Sequence, residues 1–116
     1  MRALKINVEA LAVEAVEVNG LDDIYKNLGD EVSIFCCPVT FENGDSLYAD
    51  DEGWFKETKG GFMFPDWEYP IVNNAVILGV DKEGGSVNAR TTVEELERKI
   101  VWLTASAMQE FNPLNQ

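Results

Sequence analysis

The first eighteen residues alternate between apolar and polar side chains, as a strand with one buried face requires. Residues 2–8 and 11–18 fit this pattern and predict an N-terminal hairpin. Residues 20–28 change to helical spacing, with Asn19 as the expected N-terminal cap and Gly29 as the end. The first quarter of the chain therefore predicts a hairpin followed by a short helix.

Turn signals divide the middle of the chain into short apolar stretches, as in an antiparallel sheet. An Asn-Gly turn lies at Glu42–Asp45, and a second turn with three consecutive acids lies at Asp50–Gly53, where we expect Gly53 to take a positive φ. The predicted strands are residues 32–39, 45–49, 54–57, 62–64 and 71–80. We expect the strand at 32–39 to be central in the sheet. We expect Asn73 and Asn74 to make the strand at 71–80 irregular.

Helical spacing is strongest in the last quarter of the chain. A capping box begins it at Thr91 or Thr92, each with a Glu three residues later, and Pro113 is expected to end it. The apolar stripe of this predicted five-turn helix is Val93, Leu96, Ile100, Leu103, Ala107 and Phe111. The expected fold is α+β in a single domain, residues 1–116: a mostly antiparallel sheet with one short early helix and one long C-terminal helix.

The residue types exclude several kinds of chemistry. The chain has no histidine, so a Ser-His or Cys-His relay is impossible and the commonest metal ligand is missing. Its two cysteines, Cys36 and Cys37, are adjacent in an apolar stretch, and we expect a buried, reduced, structural pair. We therefore expect a protein that is not an enzyme and needs no cofactor or metal.

The net charge of −12 indicates which partners the chain favours. Negative charge repels phosphate backbones and anionic lipid, so we expect no direct nucleic-acid or membrane binding. It favours a basic protein partner, although the acidity could also serve solubility alone. No apolar run approaches the 18 residues of a membrane helix, and the charged residues near the start argue against secretion.

Six stretches of sequence occur in a suggestive order: "MRALKI", "VEAVEVNGLDDIYKNLG", "EVSIFCCPV", "SLYADDEGWFK", "PIVNNAVILGVDKEGGSV" and "TTVEELERKI". In this order they resemble a family of small uncharacterised proteins from phages, plasmids and conjugative elements, over about residues 1–100. That family has no established function, so the resemblance implies no catalytic residues. It implies a protein that acts in the cytoplasm of a host bacterium.

Acids and large rings concentrate between positions 41 and 70, which hold eight acids and only two lysines. Trp and Tyr beside acids are typical of a recognition surface, although most of these rings could equally be core. In the segment Asp66–Tyr69, we expect strand alternation to put its two acids on one face and its two rings on the other. The candidate partner-binding residues are Asp50, Asp51, Glu52, Trp54, Asp66, Trp67, Glu68 and Tyr69.

The leading hypothesis is a non-enzymatic acidic protein that binds a basic host protein. In its sharper form, the carboxylates stand where phosphates would lie in a nucleic-acid-binding cleft. One alternative is a small-ligand binder with a pocket lined by Trp54, Trp67 and Trp102. Another is a homo-oligomer formed through the tail helix, residues 102–111. Three other interpretations of the acids remain: they only form turns, they bind a divalent cation near Asp50, or Asp66 and Glu68 are the paired carboxylates of a hydrolase. The last two are disfavoured.

Overall fold

A computed structural model describes residues 1–113 of the chain. Within these residues, nine strands and three short helices follow one another, with short 3₁₀ turns at Gly53–Phe55 and Gln109–Phe111. The strands are β1 (Arg2–Asn7), β2 (Ala12–Glu17), β3 (Phe35–Thr40), β4 (Asp45–Asp50), β5 (Gly61–Met63), β6 (Ile71–Val72), β7 (Ala75–Val80), β8 (Ser86–Val87) and β9 (Val101–Leu103). The helices are α1 (Leu21–Leu28), α2 (Val93–Lys99) and α3 (Ala105–Met108).

All strand pairs are antiparallel, and they form two sheets. The large sheet has the order β2-β1-β7-β4-β3, with β8 added beside β7. The small sheet has the order β6-β5-β9. The hairpin β3–β4 therefore lies at one end of the large sheet, with β3 as the edge strand.

Strand β7 explains why the core has two halves. Its side chains are buried on both faces, and alternate residues belong to different apolar clusters. Ile77 packs with Phe62 and Phe64 from the region of the small sheet. Leu78 packs in the other cluster, which includes Ile24 of helix α1. The large sheet is thus covered by α1 on one face and by the small sheet with α2 on the other.

The N-terminal hairpin and the short helix are confirmed, with one difference at the helix start. The cap position is Gly20 and no side chain caps it, whereas Asn19 was expected to. Instead, the carboxylate of Asp23 accepts a hydrogen bond from the Asn19 backbone N–H at 2.8 Å. The first-turn acid Asp23 thus ties the preceding residue to the helix, and its own N–H donates to Gly20 O at 3.2 Å.

Strand β3 is an edge strand, so the expectation of a central strand at residues 32–39 is wrong. The pairing of β3 with β4 shifts register between Cys36 and Val39, which inserts one extra residue there. Pro38 lies in this bulge, where its missing N–H costs no ladder hydrogen bond. A proline and a bulge both interrupt an edge that would otherwise be open to pairing with another chain.

The segment after β4 does not form the strand expected at residues 54–57. The chain enters the 3₁₀ turn Gly53–Phe55 instead. Gly53 does not take the positive φ that was predicted. It is needed for space, because a Cβ atom there would collide with Cγ1 of Val72. The turn is therefore shaped by its packing against β6.

The apolar stretch 71–80 is divided between the two sheets. Asn73 has a φ of 63°, in the left-handed region, and it separates β6 from β7. Its side chain holds the neighbouring loop, since Oδ1 accepts from Lys59 N at 2.8 Å and Nδ2 donates to Glu57 O at 3.2 Å. The irregularity expected at these asparagines is the point where the chain changes sheets.

The single long C-terminal helix, and with it the predicted fold class, is wrong. Helix α2 ends at Lys99, β9 follows, and only then does the short α3 begin. The β-branched Ile100 and Val101 favour extended backbone, and β9 completes the small sheet by placing Trp102 opposite Phe62. The fold is mostly sheet, with three short helices.

The helix cap predicted at Thr91 or Thr92 is confirmed at Thr92. The Thr92 side chain accepts from Glu95 N at 3.2 Å and caps α2.

Within residues 1–113, no helix is long and apolar enough to cross a bilayer, the longest having 8 residues.

Candidate functional site

An open groove of about 540 Å³ lies between the β3–β4 hairpin, the segment after β5 and helix α2. We call it the acidic groove. Apolar side chains and polar side chains both line it, and its exposed carboxylates are called the rim acids. The apolar lining residues are Val39, Phe41, Phe64, Trp67 and Leu96, and the polar ones are Thr40, Glu42, Asn43, Asp66, Thr91, Glu95 and Lys99.

Three aromatic rings form the wall of the groove. The rings of Phe64 and Trp67 meet edge to face with their centres 4.6 Å apart, and Phe41 meets Phe64 in the same way at 6.1 Å. Such pairs are more favourable than stacked sandwiches and they fix the ring planes. A turn closed by the Trp67 N–H to Phe64 O hydrogen bond, 3.0 Å, holds the indole against the wall.

A buried carboxylate joins the hairpin to the start of α2. Asp45 is 0% exposed, and its oxygens accept from the backbone N–H groups of Arg90 and Thr91 at 2.8–3.0 Å. The Thr91 hydroxyl donates to the same carboxylate at 2.7 Å and accepts from Asn43 Nδ2 at 2.9 Å. Since Glu42 precedes Asn43 and Glu95 follows in α2, this network sets the distance between two rim acids.

The rim acids have no internal partner in the part of the chain that the structure describes. Glu42, Asp66 and Glu95 are exposed, and none of them forms an ion pair or a side-chain hydrogen bond within residues 1–113. The lone cation of the groove lining, Lys99, lies one helical turn after Glu95 and is likewise unpaired in that range. Three carboxylates against one ammonium leave the groove with excess negative charge.

A second, shallower groove of about 310 Å³ adjoins the first and shares Val39 and Trp67 with it. Glu68 and Tyr69 line it, and Tyr69 is 68% exposed. Residues 66–69 form an irregular turn and bend rather than a strand, so the predicted separation of acids and rings onto two faces is wrong. Trp67 points into the wall while its neighbours remain at the surface, because the segment lacks a sheet partner.

The acidic turn Asp50–Glu52 differs from the groove, since its first carboxylate is used in folding. The Asp50 side chain is 5% exposed and lies 2.8 Å from Lys56 Nζ. Its other oxygen accepts from Glu52 N at 2.9 Å, and Lys56 also donates to Glu31 O at 2.8 Å. The hydrogen bond to Asp50 is the main reason that the pKa of Lys56 is raised. Asp50, one of the predicted partner-binding residues, is therefore already engaged within the fold.

The other candidates near this turn lie apart from the groove. Asp51 is exposed, and Glu52 accepts a 3.3 Å hydrogen bond from the Ser33 hydroxyl. Trp54 is half-buried in the 3₁₀ turn and does not line either groove. The strand register puts Asp50 opposite Phe35, at the far end of the hairpin from Thr40. The structure thus brings together Asp66, Trp67, Glu68 and Tyr69 but separates them from the acidic turn.

The cysteines are not the buried pair that was expected. Cys37 is exposed and Cys36 is half-buried, and both are free thiols. Phe35 takes the core position of β3, and the bulge turns Cys37 outward. Burial raises the pKa of the Cys36 thiol, and a hydrogen bond and the charge of Asp51 raise it further. Partial burial and the raised pKa both lower the reactivity of Cys36, and Cys37 is the more accessible thiol.

Sequence reasoning missed Glu42, Glu95, Phe41 and Phe64 as groove residues. Glu42 reads as part of an Asn-Gly turn and Glu95 as part of a helix cap, so local patterns explain both without a site. Only the long-range contact between Asp45 and Thr91 brings them together.

Within residues 1–113, no group of three His, Cys, Asp or Glu side chains is placed to hold a metal ion.

No family model, no curated protein and no solved structure matches the chain. The resemblance to proteins of mobile elements stays an expectation from the sequence. The function must therefore be inferred from the chemistry of the acidic groove.

Proposed function

We propose that the protein is a non-enzymatic binding protein whose acidic groove holds a basic segment of a partner protein. The observation that carries this proposal is the set of rim carboxylates, Glu42, Asp66 and Glu95, which have no partner within residues 1–113 and share the groove with an aromatic wall. A carboxylate that serves folding acquires a partner inside the molecule, as Asp45 and Asp50 do. Acids left free around an apolar cleft are available to a cation from outside.

The charge of the whole chain supports a basic partner. At −12, the molecule surrounds the groove with a field that attracts cations and repels phosphate groups. Long-range attraction of this kind raises association rates and weakens as salt is added. The partner's contact segment should accordingly carry Lys or Arg side chains.

The aromatic residues support a protein rather than an inorganic cation. Trp and Tyr are enriched at the energetic centres of protein interfaces. Trp67 lines both adjoining grooves, and Tyr69 stands exposed at the edge of the second one. A partner chain that follows both grooves would cover these two rings and exclude water from them.

The resemblance to mobile-element proteins suggests where the partner is found. We propose a host bacterial protein in the cytoplasm, and in the sharper form one that itself binds nucleic acid. A nucleic-acid-binding cleft is lined by basic side chains, and their positive charge complements the negative charge of the acidic groove. In that case the protein would compete with nucleic acid for the partner, which a displacement assay measures directly.

A small organic ligand is the second candidate, because the groove volume is within the range of about 300–1,000 Å³ that is usual for ligand sites. Of the three tryptophans once expected to line such a pocket, only Trp67 does so. A cationic small molecule would raise the melting temperature of the wild-type protein in a concentration-dependent way. A library screen by thermal shift would identify it.

The test is a capture experiment on bacterial lysate with three immobilised proteins. The groove variant carries Glu42→Gln, Asp66→Asn and Glu95→Gln. The control variant carries Asp30→Asn, Glu57→Gln and Glu83→Gln, which removes the same charge from exposed positions whose side chains have no partner within residues 1–113. Gln is also accepted at position 95 by the cap of α2.

We expect wild type and control to retain a basic protein at low salt and to lose it at high salt. The groove variant should retain much less of it at every salt concentration. Equal retention by all three proteins would show that the groove is not the binding surface. Retention that falls equally in both variants would show that only net charge matters.

A further inference from the structure

We propose that the acidic groove recognises arginine, whose guanidinium lies against Trp67 and is paired by the rim carboxylates. This inference rests on the proposed function and specifies the group that the partner inserts. The occupant is an extended or irregular segment of a partner protein with an exposed arginine. The argument uses the shape of the wall, the placement of the acids and the position of Lys99.

The wall suits a flat cation. Trp67 is half-buried, held by Phe64 on one side, and it lines both grooves, so part of its ring system is open to an incoming group. A cation within about 6 Å of an indole is attracted by the negative face of the ring. Tryptophan gives the strongest contact of this kind, and arginine makes it more often than lysine.

The acids come from three separate elements that line the same groove as that ring. Glu42 lies in the hairpin turn, Asp66 just before Trp67, and Glu95 in the first turn of α2. A guanidinium has five N–H donors in one plane, so it can stack on a ring and hydrogen-bond carboxylates at its edge simultaneously. A lysine ammonium has a compact, strongly hydrated charge, and it would give up more hydration to contact the apolar wall.

Lys99 makes the inference sharper because it opposes the proposed ligand. It lines the groove and forms no ion pair within the part of the chain that the structure describes. Its ammonium repels an incoming cation, so replacing it should strengthen binding. An apolar site without charge recognition would not respond in this direction.

The probes are three peptides of nine residues, made of Gly and Ser with arginine, lysine or citrulline at the same three positions. Citrulline keeps the planar end group and removes the charge. Binding is measured by titration calorimetry at low salt with the full chain. We expect the arginine peptide to bind at least about fivefold tighter than the lysine peptide, and the citrulline peptide to show no saturable binding.

The variants locate the contact. Trp67→Leu should weaken the arginine peptide about fivefold and the lysine peptide by less than about twofold, since it keeps an apolar side chain and removes the ring. Lys99→Gln should tighten the arginine peptide about twofold to threefold, by removing a like charge. The groove variant should lose binding, while the control variant should change it by less than about twofold.

Two results would overturn this inference and leave the proposed function intact: equal affinity for arginine and lysine, or no effect of Trp67→Leu, with binding still lost in the groove variant. Binding of citrulline as tight as arginine would also overturn it. Peptide binding and lysate capture that both survive in the groove variant would overturn the inference and the proposed function together. If Trp67→Leu fails to fold, Lys99→Gln decides, because unchanged or weaker arginine binding there contradicts the inference.

Discussion

The acidic turn and the acidic groove contain the same kind of residue and use it differently. In the turn, Asp50 is almost fully buried and is held by Lys56. In the groove, Glu42, Asp66 and Glu95 are exposed and have no partner within residues 1–113. Each region has a lysine nearby, but only Lys56 is placed to neutralise an acid.

This difference shows that the density of acids along the sequence does not separate acids that are paired within the fold from acids that are left unpaired within residues 1–113. Three consecutive acids at Asp50–Glu52 attract attention in the sequence, yet the first of them stabilises the fold. The groove acids are scattered over more than fifty positions and look ordinary one by one. What distinguishes them is that they line one cleft beside aromatic rings while having no partner within residues 1–113, an arrangement that only the fold reveals.

The largest effect is expected at Asp45, the buried carboxylate that holds the groove together. Asp45→Ala leaves the N–H groups of Arg90 and Thr91 without their acceptor, and we expect a loss of about 3–5 kcal/mol in the free energy of unfolding. Urea unfolding measures it. Asp66→Ala, the exposed control, should change this free energy by less than about 0.5 kcal/mol. A cost below about 1 kcal/mol for Asp45→Ala would show that the network does not anchor the hairpin to α2.

Within the acidic turn, Asp50 should matter and Asp51 should not. Asp50→Asn weakens the contacts to Lys56 and to the Glu52 N–H, and should cost about 1–3 kcal/mol of unfolding free energy. Asp51→Asn removes an exposed charge and should cost less than about 0.5 kcal/mol. Equal, negligible costs for both would make the acidic turn another solvated surface and remove the contrast with the groove.

The Lys56–Asp50 contact also predicts an alkaline effect. The folded-state pKa of Lys56 is raised above its ordinary value of 10.5. The folded state therefore holds this proton more tightly, so the contribution is complete below pH 10.5 and is lost as pH rises through the folded value. The stability of wild type should fall more steeply than that of Asp50→Asn in this alkaline range. Parallel curves would mean that the contact does not couple to this proton.

The groove variant should leave stability nearly unchanged while it weakens binding. Its three acids are exposed, so their removal should alter the unfolding free energy by less than about 0.5 kcal/mol each. Relief of self-repulsion at a net charge of −12 could only add to stability. Thermal unfolding of the free protein is the measurement. A loss of several degrees would mean that these acids have a role in the fold.

The smallest change concerns the two cysteines, which lie on β3 between the acidic turn and the groove. Cys37 is exposed, whereas Cys36 is half-buried and has a raised pKa, so it forms less thiolate near pH 8. Iodoacetamide should label Cys37 first, as peptide mass spectrometry would report. Equal rates for both would mean that β3 opens far enough to remove the difference in burial.

Local patterns in the sequence predict some of this molecule correctly. The N-terminal hairpin, the Asn-Gly turn and the cap at Thr92 depend on neighbouring residues, and all three are present. The prediction of one long C-terminal helix is wrong. Its apolar residues fit helical spacing, but residues 101–103 form a strand because they pair with β5. Tertiary pairing of this kind overrides local periodicity and is not visible in the sequence.

The candidate site was predicted in part for the same reason. Asp66, Trp67, Glu68 and Tyr69 are neighbours in the sequence and remain neighbours at the two grooves. The sequence places Asp50 among the binding candidates because its partner, Lys56, lies beyond a segment that local patterns predict as a strand. The structure has a 3₁₀ turn there, and the two side chains are paired. The remaining groove residues come together only through the contact of Asp45 with the start of α2.

The most direct test compares two variants of equal charge in the same two assays. The acidic-turn variant carries Asp50→Asn, Asp51→Asn and Glu52→Gln, and the groove variant carries Glu42→Gln, Asp66→Asn and Glu95→Gln. Each removes three negative charges, which takes the net charge from −12 to −9. For each variant, the free energy of unfolding is measured together with the affinity for the arginine peptide.

The acidic-turn variant should lose stability, by about 1–3 kcal/mol, and should keep its affinity within about twofold. The groove variant should keep its stability and lose binding. If the two variants weaken binding equally, the surface acts only through its total charge. If the acidic-turn variant loses binding and the groove variant does not, the recognition site is at Asp50–Glu52 and the account given for the groove is contradicted.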